Sequence, residues 1–575
     1  MAGFFDLPST RSTTKRDQKL LNSAKPKSQV ASPTAVRLKG SGKLSDRIAA
    51  VVSLVNQKFP NKDEFLLIQD EKELSCYIDA CVKNNGVAID TETTGKDPIL
   101  DKIVGFSIYT PGQKAAYVPI NHRSYITDIK YDDQLPIEIV RKQLSRLIIH
   151  NIKTYWFNAP FDIRVIENNI GVRFRAYFDG YVAAMCLNSG EPEGQRGLKQ
   201  LHKKYCWGNR GEALSFGNLF DDIPFDYIPI KTAYLYAASD AIYTWELCQF
   251  QSQYLEPDGI YYEEKNMQNL SSEFFNIEMK VMDTFIDMEQ LGVSMDYDHA
   301  EKISKKYHDL ESKMEENLRS VGEQYMDEIN DYRRRNPACR LSNPINFESP
   351  TQLATILYDI LKIEPIDPKK PRSVGGDILD NIDHPLCRAV SDIRAFRKVI
   401  KTYIDKIPAT AKLYPDQRIH CRFNQVGADT GRVSSNSPNL QNIPSRPFVL
   451  SDGTKIDSGH DVRQLFRATP GYILMSCDYS GQEVRVTAHL SKDEKLIQAY
   501  KDGKDPYCEI ASIAYNVPYD ECKEFRSDGT TNPEGKARRG EAKKIVLGKR
   551  IIAPVYSDIC RKVGERICSA VCYTM

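Results

Sequence analysis

Long apolar runs are missing from this sequence. No stretch of eighteen consecutive hydrophobic residues occurs, so no segment has the length that a membrane-crossing helix needs. The opening MAGFFDLPSTRSTTKR lacks the apolar centre of a signal peptide. Closely paired cysteines are missing too. The 14 cysteines are scattered without a CxxC pair, which excludes a zinc ribbon and a secreted disulfide framework and leaves buried free thiols. Charge of one sign is also scarce, the formal net charge being +1. A nucleic-acid partner would therefore have to be met by locally gathered basic residues rather than by the field of the whole chain. These absences point to a cytoplasmic protein.

What is present is a chain of 575 residues, 41% hydrophobic and 27% charged, which exceeds a single core and calls for several domains. Residues 1–45 are rich in Ser, Thr, Lys, Arg and Pro with almost no apolar period, the composition of a disordered basic tail. The first sharp pattern is Gly86-Val87-Ala88-Ile89-Asp90-Thr91-Glu92. In a strand alternate side chains share a face, so Asp90 and Glu92 point the same way. Two such carboxylates repel unless a cation lies between them. Asp101–Thr110 reads as the strand that hairpins back. Further on, Asp162 follows Asn158 by four positions and Asp240 follows Tyr236 by four, the latter spacing placing both on one helix face. Asp179 lies between them.

Together Asp90, Glu92, Asp162, Tyr236 and Asp240 resemble the motifs of the 3'-5' exonuclease superfamily in its tyrosine-bearing subclass. The resemblance implies an RNase H-like sheet flanked by helices. It implies two divalent ions, Mg2+ with Mn2+ able to substitute, held by the four carboxylates, with Tyr236 orienting a water. Asp179 matches a family position and is not carried over as a ligand.

The stretch Gly471 to His489, GYILMSCDYSGQEVRVTAH, drives an apolar run into Asp478 and then turns amphipathic. It reads as a buried strand delivering that carboxylate to a cleft. Asp478, Tyr479, Ser480, Glu483, Arg485, Ala488, His489, Leu490 and Ser491 resemble motif A of the family A DNA polymerases, the DNA polymerase I family. The resemblance implies that Asp478 and the Tyr479 carbonyl hold Mg2+. It further implies that Glu483 closes the pocket against a ribose hydroxyl and that Arg485 and His489 lie on the DNA side.

Between these regions the pattern is helical. One amphipathic segment ends at Gly292, a long polar helix follows over HAEKISKKYHDLESKMEENLRSVGEQYMDEI, and NFESPTQLATILYDILKI and IRAFRKVIKTYIDKIP come after it. In the family this part is the thumb, so Arg394, Arg397, Lys398, Lys401 and Lys406 become candidates for duplex phosphates, contacts that carry no sequence information. The run Thr430-Gly431-Arg432 and the Asn-Leu-Gln-Asn segment resemble the family signature that sets Arg432, Gln441 and Asn442 at the primer terminus and minor groove. Arg463 matches a further position on the template-primer side. In KARRGEAKKIVLG, residues Arg539, Lys543 and Leu547 share one helical face. They resemble motif B, whose cations hold the incoming triphosphate.

The resemblance stops at Gly548. The remaining 27 residues (575 minus 548) do not match the family, Leu547 stands at its aromatic position, and no His-Asp-Glu motif C follows. Residues from Lys549 onward are expected to be sequence read across an intron boundary, a frameshift or an insertion.

The expected organisation is thus an α/β multidomain chain. A tail at 1–45 precedes an exonuclease domain at 46–255, a helical connector and thumb at 256–414, an incomplete palm and fingers at 415–548, and a non-family tail at 549–575. The expected activity is that of a replicative, bacteriophage-like family A DNA polymerase with proofreading. It would be monomeric, acting on primer-template DNA, single-stranded 3' ends and dNTPs in the cytoplasm, the host's if phage-encoded. Without motif C this chain is expected to degrade 3' ends but not to extend primers. The alternatives are a stand-alone exonuclease with a duplex-binding remnant, and an inactive primer-template binding protein.

Overall fold

The structure, a computed structural model, describes residues 43–187, 196–206, 220, 223–428 and 431–548, except for the side chains of 487 and 545–548. The two tails expected at 1–45 and 549–575 therefore fall almost wholly outside the described residues, as does Thr430. The chain divides into one unit up to Tyr472 and a second from Ile473.

The first unit is built on a six-stranded sheet in the order β1-β4-β3-β2-β5-β6. Its strands are β1 (Phe65–Leu67), β2 (Gly86–Thr93), β3 (Ile103–Tyr109), β4 (Ala115–Pro119), β5 (Lys153–Trp156) and β6 (Phe178–Asp179). Strand β2 runs antiparallel to β3 and parallel to β5, so it is hydrogen-bonded on both sides. Such a strand is buried on both faces and reads as a continuous apolar run, which Val87, Ala88 and Ile89 supply at 1% exposure or less. The expected returning strand at 101–110 is β3.

Three helices position the chemistry on this sheet. Helix α1 (Ala159–Ile170) begins after Asn158, whose φ of 70° is left-handed, and carries Pro160 in its first turn and Asp162 just behind it. Helix α2 (Leu198–Tyr205) starts where Gly197 N–H donates to Gln200 at 3.1 Å. Helix α3 (Ile230–Leu255) runs for 26 residues. Its residues Ala233, Ala237, Ala238 and Ala241 are fully buried, and the lack of side-chain bulk lets it lie close against β2, β3 and β4.

The rest of the first unit is mainly helical. Helix α4 (Met279–Leu291) ends at Gly292 as its glycine predicts, with φ 63°. The long polar helix is observed as α5 (Tyr297–Glu323) followed by a separate helix at Met326–Arg335. Helix α6 (Pro385–Val399) packs on α5. Strands β7 (Arg422–Asn424) and β8 (Ser434–Asn436) form an antiparallel hairpin.

The second unit contains α7 (Gln482–Ser491), α8 (Pro506–Tyr515) and α9 (Pro533–Gly548). The strand expected before Asp478 is absent. Residues 473–479 have no regular structure, and Ile473, Leu474 and Met475 are 87%, 64% and 80% exposed. The reason is the lack of a neighbour. No strand longer than an isolated bridge occurs among the described residues of this unit, so the segment has no ladder for its amides and no core for its side chains.

Candidate active site

On β2, Asp90 is half-buried and Glu92 only 6% exposed. Strand alternation turns both to one side, and α3 brings Asp240 to meet them. Asp90, Glu92 and Asp240 each offer a carboxylate oxygen within 4.8 Å of the others. Asp162 is held a step aside. Its Oδ1 accepts from the Thr91 amide at 3.0 Å and the Thr91 hydroxyl at 2.6 Å, fixing it next to the strand residue between the two acids. Four expected carboxylates are thus gathered at one place, three in mutual reach and one tethered beside them.

Burial is the first cause of the electrostatics here. It lifts Asp90 well above the usual carboxylate range, with the charges of Asp162, Asp240 and Glu92 adding to it. Glu92 is raised by burial and then by Asp240. Asp162 is pushed up to about 7 by burial, against the lowering effect of its Thr91 bonds. Asp240 is also raised by burial, and Lys199 opposes this.

Lys199 was not expected from the sequence. Its Nζ donates to Tyr236 Oη at 2.7 Å and to Asp240 Oδ2 at 3.0 Å, lies 2.9 Å from Asp240 Oδ1, and sits 4.0 Å above the Tyr236 ring. Tyr236 is 3% exposed and its ring meets Phe220 edge-on at 5.0 Å. A lone lysine in RGLKQL carries no motif signal. Only the fold, bridging 41 residues, puts it beside Asp240.

Behind the carboxylates lies a second pair. Asp90, Ser107 and Tyr117 are register partners across β2, β3 and β4. Tyr117 is fully buried with its hydroxyl 2.8 Å from His122 Nε2, and His122 Nδ1 lies 3.0 Å from the Ile228 carbonyl. A carbonyl only accepts, so Nδ1 carries the proton and Nε2 accepts from the tyrosine. Burial pushes His122 down to about 4. Gly105, the partner of Glu92, is required because a Cβ there would overlap the Tyr117 hydroxyl.

The donor set fits divalent metal. Hard cations take carboxylate oxygens, and Asp240 Oδ1 is a buried oxygen already within 2.9 Å of a cation, the Lys199 ammonium. Asp90, Glu92 and Asp240 form the one cluster of three or more potential metal ligands among the described residues. Asp179, by contrast, is committed to structure. Fully buried, it accepts from the amides of Ala159, Tyr181 and Val182 at 2.6, 2.8 and 3.0 Å.

The residues expected on the polymerase side are placed differently. In the first unit Lys401, Arg432, Gln441, Asn442 and Arg463 are all exposed. Tyr403 Oη donates to the Asn442 carbonyl at 2.6 Å, Gln441 donates to the Val433 carbonyl at 3.0 Å, and Arg463 donates to the Pro444 carbonyl at 3.1 Å. Two of the thumb cations are engaged elsewhere. Arg397 bridges Glu311, Glu315 and Glu348, while Arg394 donates to the carbonyls of Val374 and Glu348. Acidic side chains facing α6 take up the Arg397 charge, and backbone carbonyls take up the Arg394 guanidinium. Lys398 and Lys406 remain exposed.

In the second unit Asp478 and Tyr479 are exposed, not recessed in a cleft. Arg485 donates to the Ser480 carbonyl at 2.9 Å and lies 4.2 Å over Tyr500, His489 is exposed and Glu483 half-buried. Arg539 pairs with Asp505 at 2.8 Å, and Lys543 is exposed. The Leu547 side chain is outside the described residues.

No helix among the described residues is long and apolar enough to cross a membrane. Residues 65–256 match a family described as 3'-5' exonuclease, and residues 315–548 match DNA polymerase family A. The DNA polymerase I of Chloroflexus aurantiacus is 28% identical over 461 residues, covering 78% of this chain and 44% of that protein. That of Pseudomonas aeruginosa is 29% identical over 471 residues, covering 80% and 46%. The thermostable DNA polymerase I of Thermus aquaticus is 37% identical over 182 residues, covering 31% and 21%. The chain thus spans under half the length of these relatives. Among solved structures, the POL domain of Pol1 from M. smegmatis in complex with DNA primer-template and dNTP has the same fold, with a TM-score of 0.61 at 20% identity, covering 89% of this chain and 76% of that one. Residues 65–256 therefore belong to the 3'-5' exonuclease family and residues 315–548, which follow them in the same chain, to the family A DNA polymerases.

Proposed function

We propose that this chain removes nucleotides from the 3' ends of DNA by metal-dependent hydrolysis, as the proofreading part of a family A DNA polymerase acting in replication. The observation that carries this reading is the convergence of Asp90, Glu92 and Asp240 within 4.8 Å. Asp90, Glu92, Asp162 and Asp240 would hold two divalent ions, Mg2+ or Mn2+. When bound, such ions supply a water of lowered pKa and a Lewis acid for the phosphate. Tyr236, packed rigidly among aromatic rings, orients the attacking water through its hydroxyl. Thr91 keeps Asp162 aimed from the side.

For the polymerase half, Lys401, Arg432, Gln441, Asn442 and Arg463 of the first unit are proposed to contact primer-template DNA, and Arg485 and His489 of the second unit are proposed to contact DNA. Glu483, Arg539, Lys543 and Leu547 take the dNTP, and Asp478 with the Tyr479 carbonyl takes Mg2+. The match at 65–256 lies almost wholly within the proposed exonuclease domain at 46–255, and the match at 315–548 runs across the proposed thumb at 256–414 and palm and fingers at 415–548. Exposure of Asp478 in a segment without a strand favours a chain that degrades ends without extending them. It works as a monomer in the cytoplasm.

The test is a 5'-labelled single-stranded oligonucleotide incubated with the purified chain. A ladder shortening from the 3' end with Mg2+ or Mn2+, abolished by EDTA and by Asp90→Ala with Glu92→Ala, is expected. No ladder, or one that survives the double substitution, overturns the reading.

A further inference from the structure

Lys199 stands where a cation is needed. Three carboxylates within 4.8 Å of one another, shielded from water, repel strongly, because charge interactions grow as the surrounding dielectric falls. The Lys199 side chain is only 17% exposed and that of Asp240 13%, so this is not one of the solvated surface pairs that contribute little. The ammonium touches both Asp240 oxygens and the Tyr236 hydroxyl, and it rests on the Tyr236 ring, an arrangement that favours cations over an aromatic face.

We propose that Lys199 is a resident cation which keeps Asp240 and Tyr236 in position while metal is absent, and which competes with divalent metal for the Asp240 carboxylate. The inference rests on the nuclease reading above and adds a control on how tightly that site takes metal. Lys199 enters from a different helix, α2, on a flexible four-carbon stem, so it can withdraw from Asp240 while its anchor stays in place. A metal reaching Asp240 therefore has to displace a positive charge already there. The site gains order without metal and gives up part of its metal affinity.

The sign of this effect separates it from a merely structural role. Loss of a supporting residue weakens or leaves unchanged the binding of metal, whereas loss of a competitor strengthens it. The experiment is Mn2+ titration of the full chain, free Mn2+ being followed by electron paramagnetic resonance, for wild type, Lys199→Met and Lys199→Gln. Both variants are expected to bind Mn2+ about ten-fold tighter than wild type and to melt at lower temperature in EDTA, with the deficit closing once Mn2+ is added. Gln serves if Met does not fold. Equal or weaker Mn2+ binding by a folded variant overturns the proposal. Mn2+ uptake by wild type that disappears in Asp90→Ala with Glu92→Ala upholds the nuclease reading whatever the lysine variants do, and wild type that takes up no Mn2+ through these acids ends both.

Discussion

Arg164 and Glu289 form an ion pair in which each side chain is 3% exposed. It joins α1, which carries Asp162, to α4, and Glu289 also accepts the amide of Phe423 at β7. One buried pair thus ties the nuclease domain to the segment leading toward Arg432. Removing one member of such a pair strands the other without water or partner. Arg164→Ala is expected to destabilise the first unit by about 3–5 kcal/mol, read as a fall in the urea midpoint. Arg164→Leu combined with Glu289→Met is expected to cost less than either single change. A single variant as stable as wild type would contradict this.

Gly105 faces Glu92 across the β2–β3 ladder, with the Tyr117 phenol filling the space of a side chain. Gly105→Ala forces Tyr117 or the strand to move, at a cost of about 1–3 kcal/mol. Because the strand that moves carries Asp90 and Glu92, nuclease activity is expected to fall along with the melting temperature. An unchanged rate in the variant would show that the strand does not yield there.

Thr91→Val keeps the shape of the side chain and the amide bond to Asp162 but removes the 2.6 Å hydroxyl bond. That hydroxyl lowers the Asp162 pKa, so its loss raises it further. The acid limb of the nuclease pH–rate profile is expected to move to higher pH, with about 1–2 kcal/mol lost in stability. A limb that stays in place would remove Thr91 from the site's electrostatics.

The pH dependence of metal-free stability has two opposed parts. Asp162, raised to about 7, and Asp90, Glu92 and Asp240, also raised, bind protons more readily folded than unfolded. Their contribution is complete below the ordinary carboxylate pKa and is lost as pH climbs through each raised value, which for Asp162 is about 7. His122, lowered to about 4 from 6.5, acts the other way, its contribution being present above 6.5 and lost as pH falls toward 4. Metal binds the carboxylates and not His122, so the difference in melting temperature with and without Mn2+ isolates the first part. That difference is expected to be small near pH 5 and to grow through about pH 7, since metal replaces protons. A difference independent of pH would mean the carboxylates are already ionised in the folded protein.

Ile473, Leu474 and Met475 present an apolar strip to solvent, a feature that promotes association. Ile473→Ser with Met475→Ser is expected to reduce concentration-dependent light scattering while leaving the nuclease rate as it was. Equal scattering would show that the strip is not what associates.

How much of this could be read in advance followed from the range of the interactions. Asp90 with Glu92, and Tyr236 with Asp240, are two and four residues apart, so the periods of strand and helix delivered them directly. Thr91 meets Asp162 across 71 residues and Lys199 meets Asp240 across 41. Nothing in local pattern marks such partners, which exist only once α1 has packed on β2 and α2 on α3. The run before Asp478 reads as a strand because its residues suit one, yet a strand also requires a neighbour to receive its hydrogen bonds, and that condition lies outside its own sequence. Arg397 looks available for phosphates in the sequence for a similar reason, because the acids that engage it come from another helix and a loop.

Because β2 is clasped by β3 on one side and β5 on the other, its placement along the sheet comes only in whole-residue steps, each of which turns every side chain to the opposite face. Loss of one codon between Val87 and Ile89 would therefore silence nucleotide removal even in a protein that still folded, by rotating both acids out of reach of Asp240. A lengthened turn at 111–114, between β3 and β4, would pass unnoticed. The tolerance of this domain to insertions and deletions is set strand by strand, narrowest in the middle of the sheet.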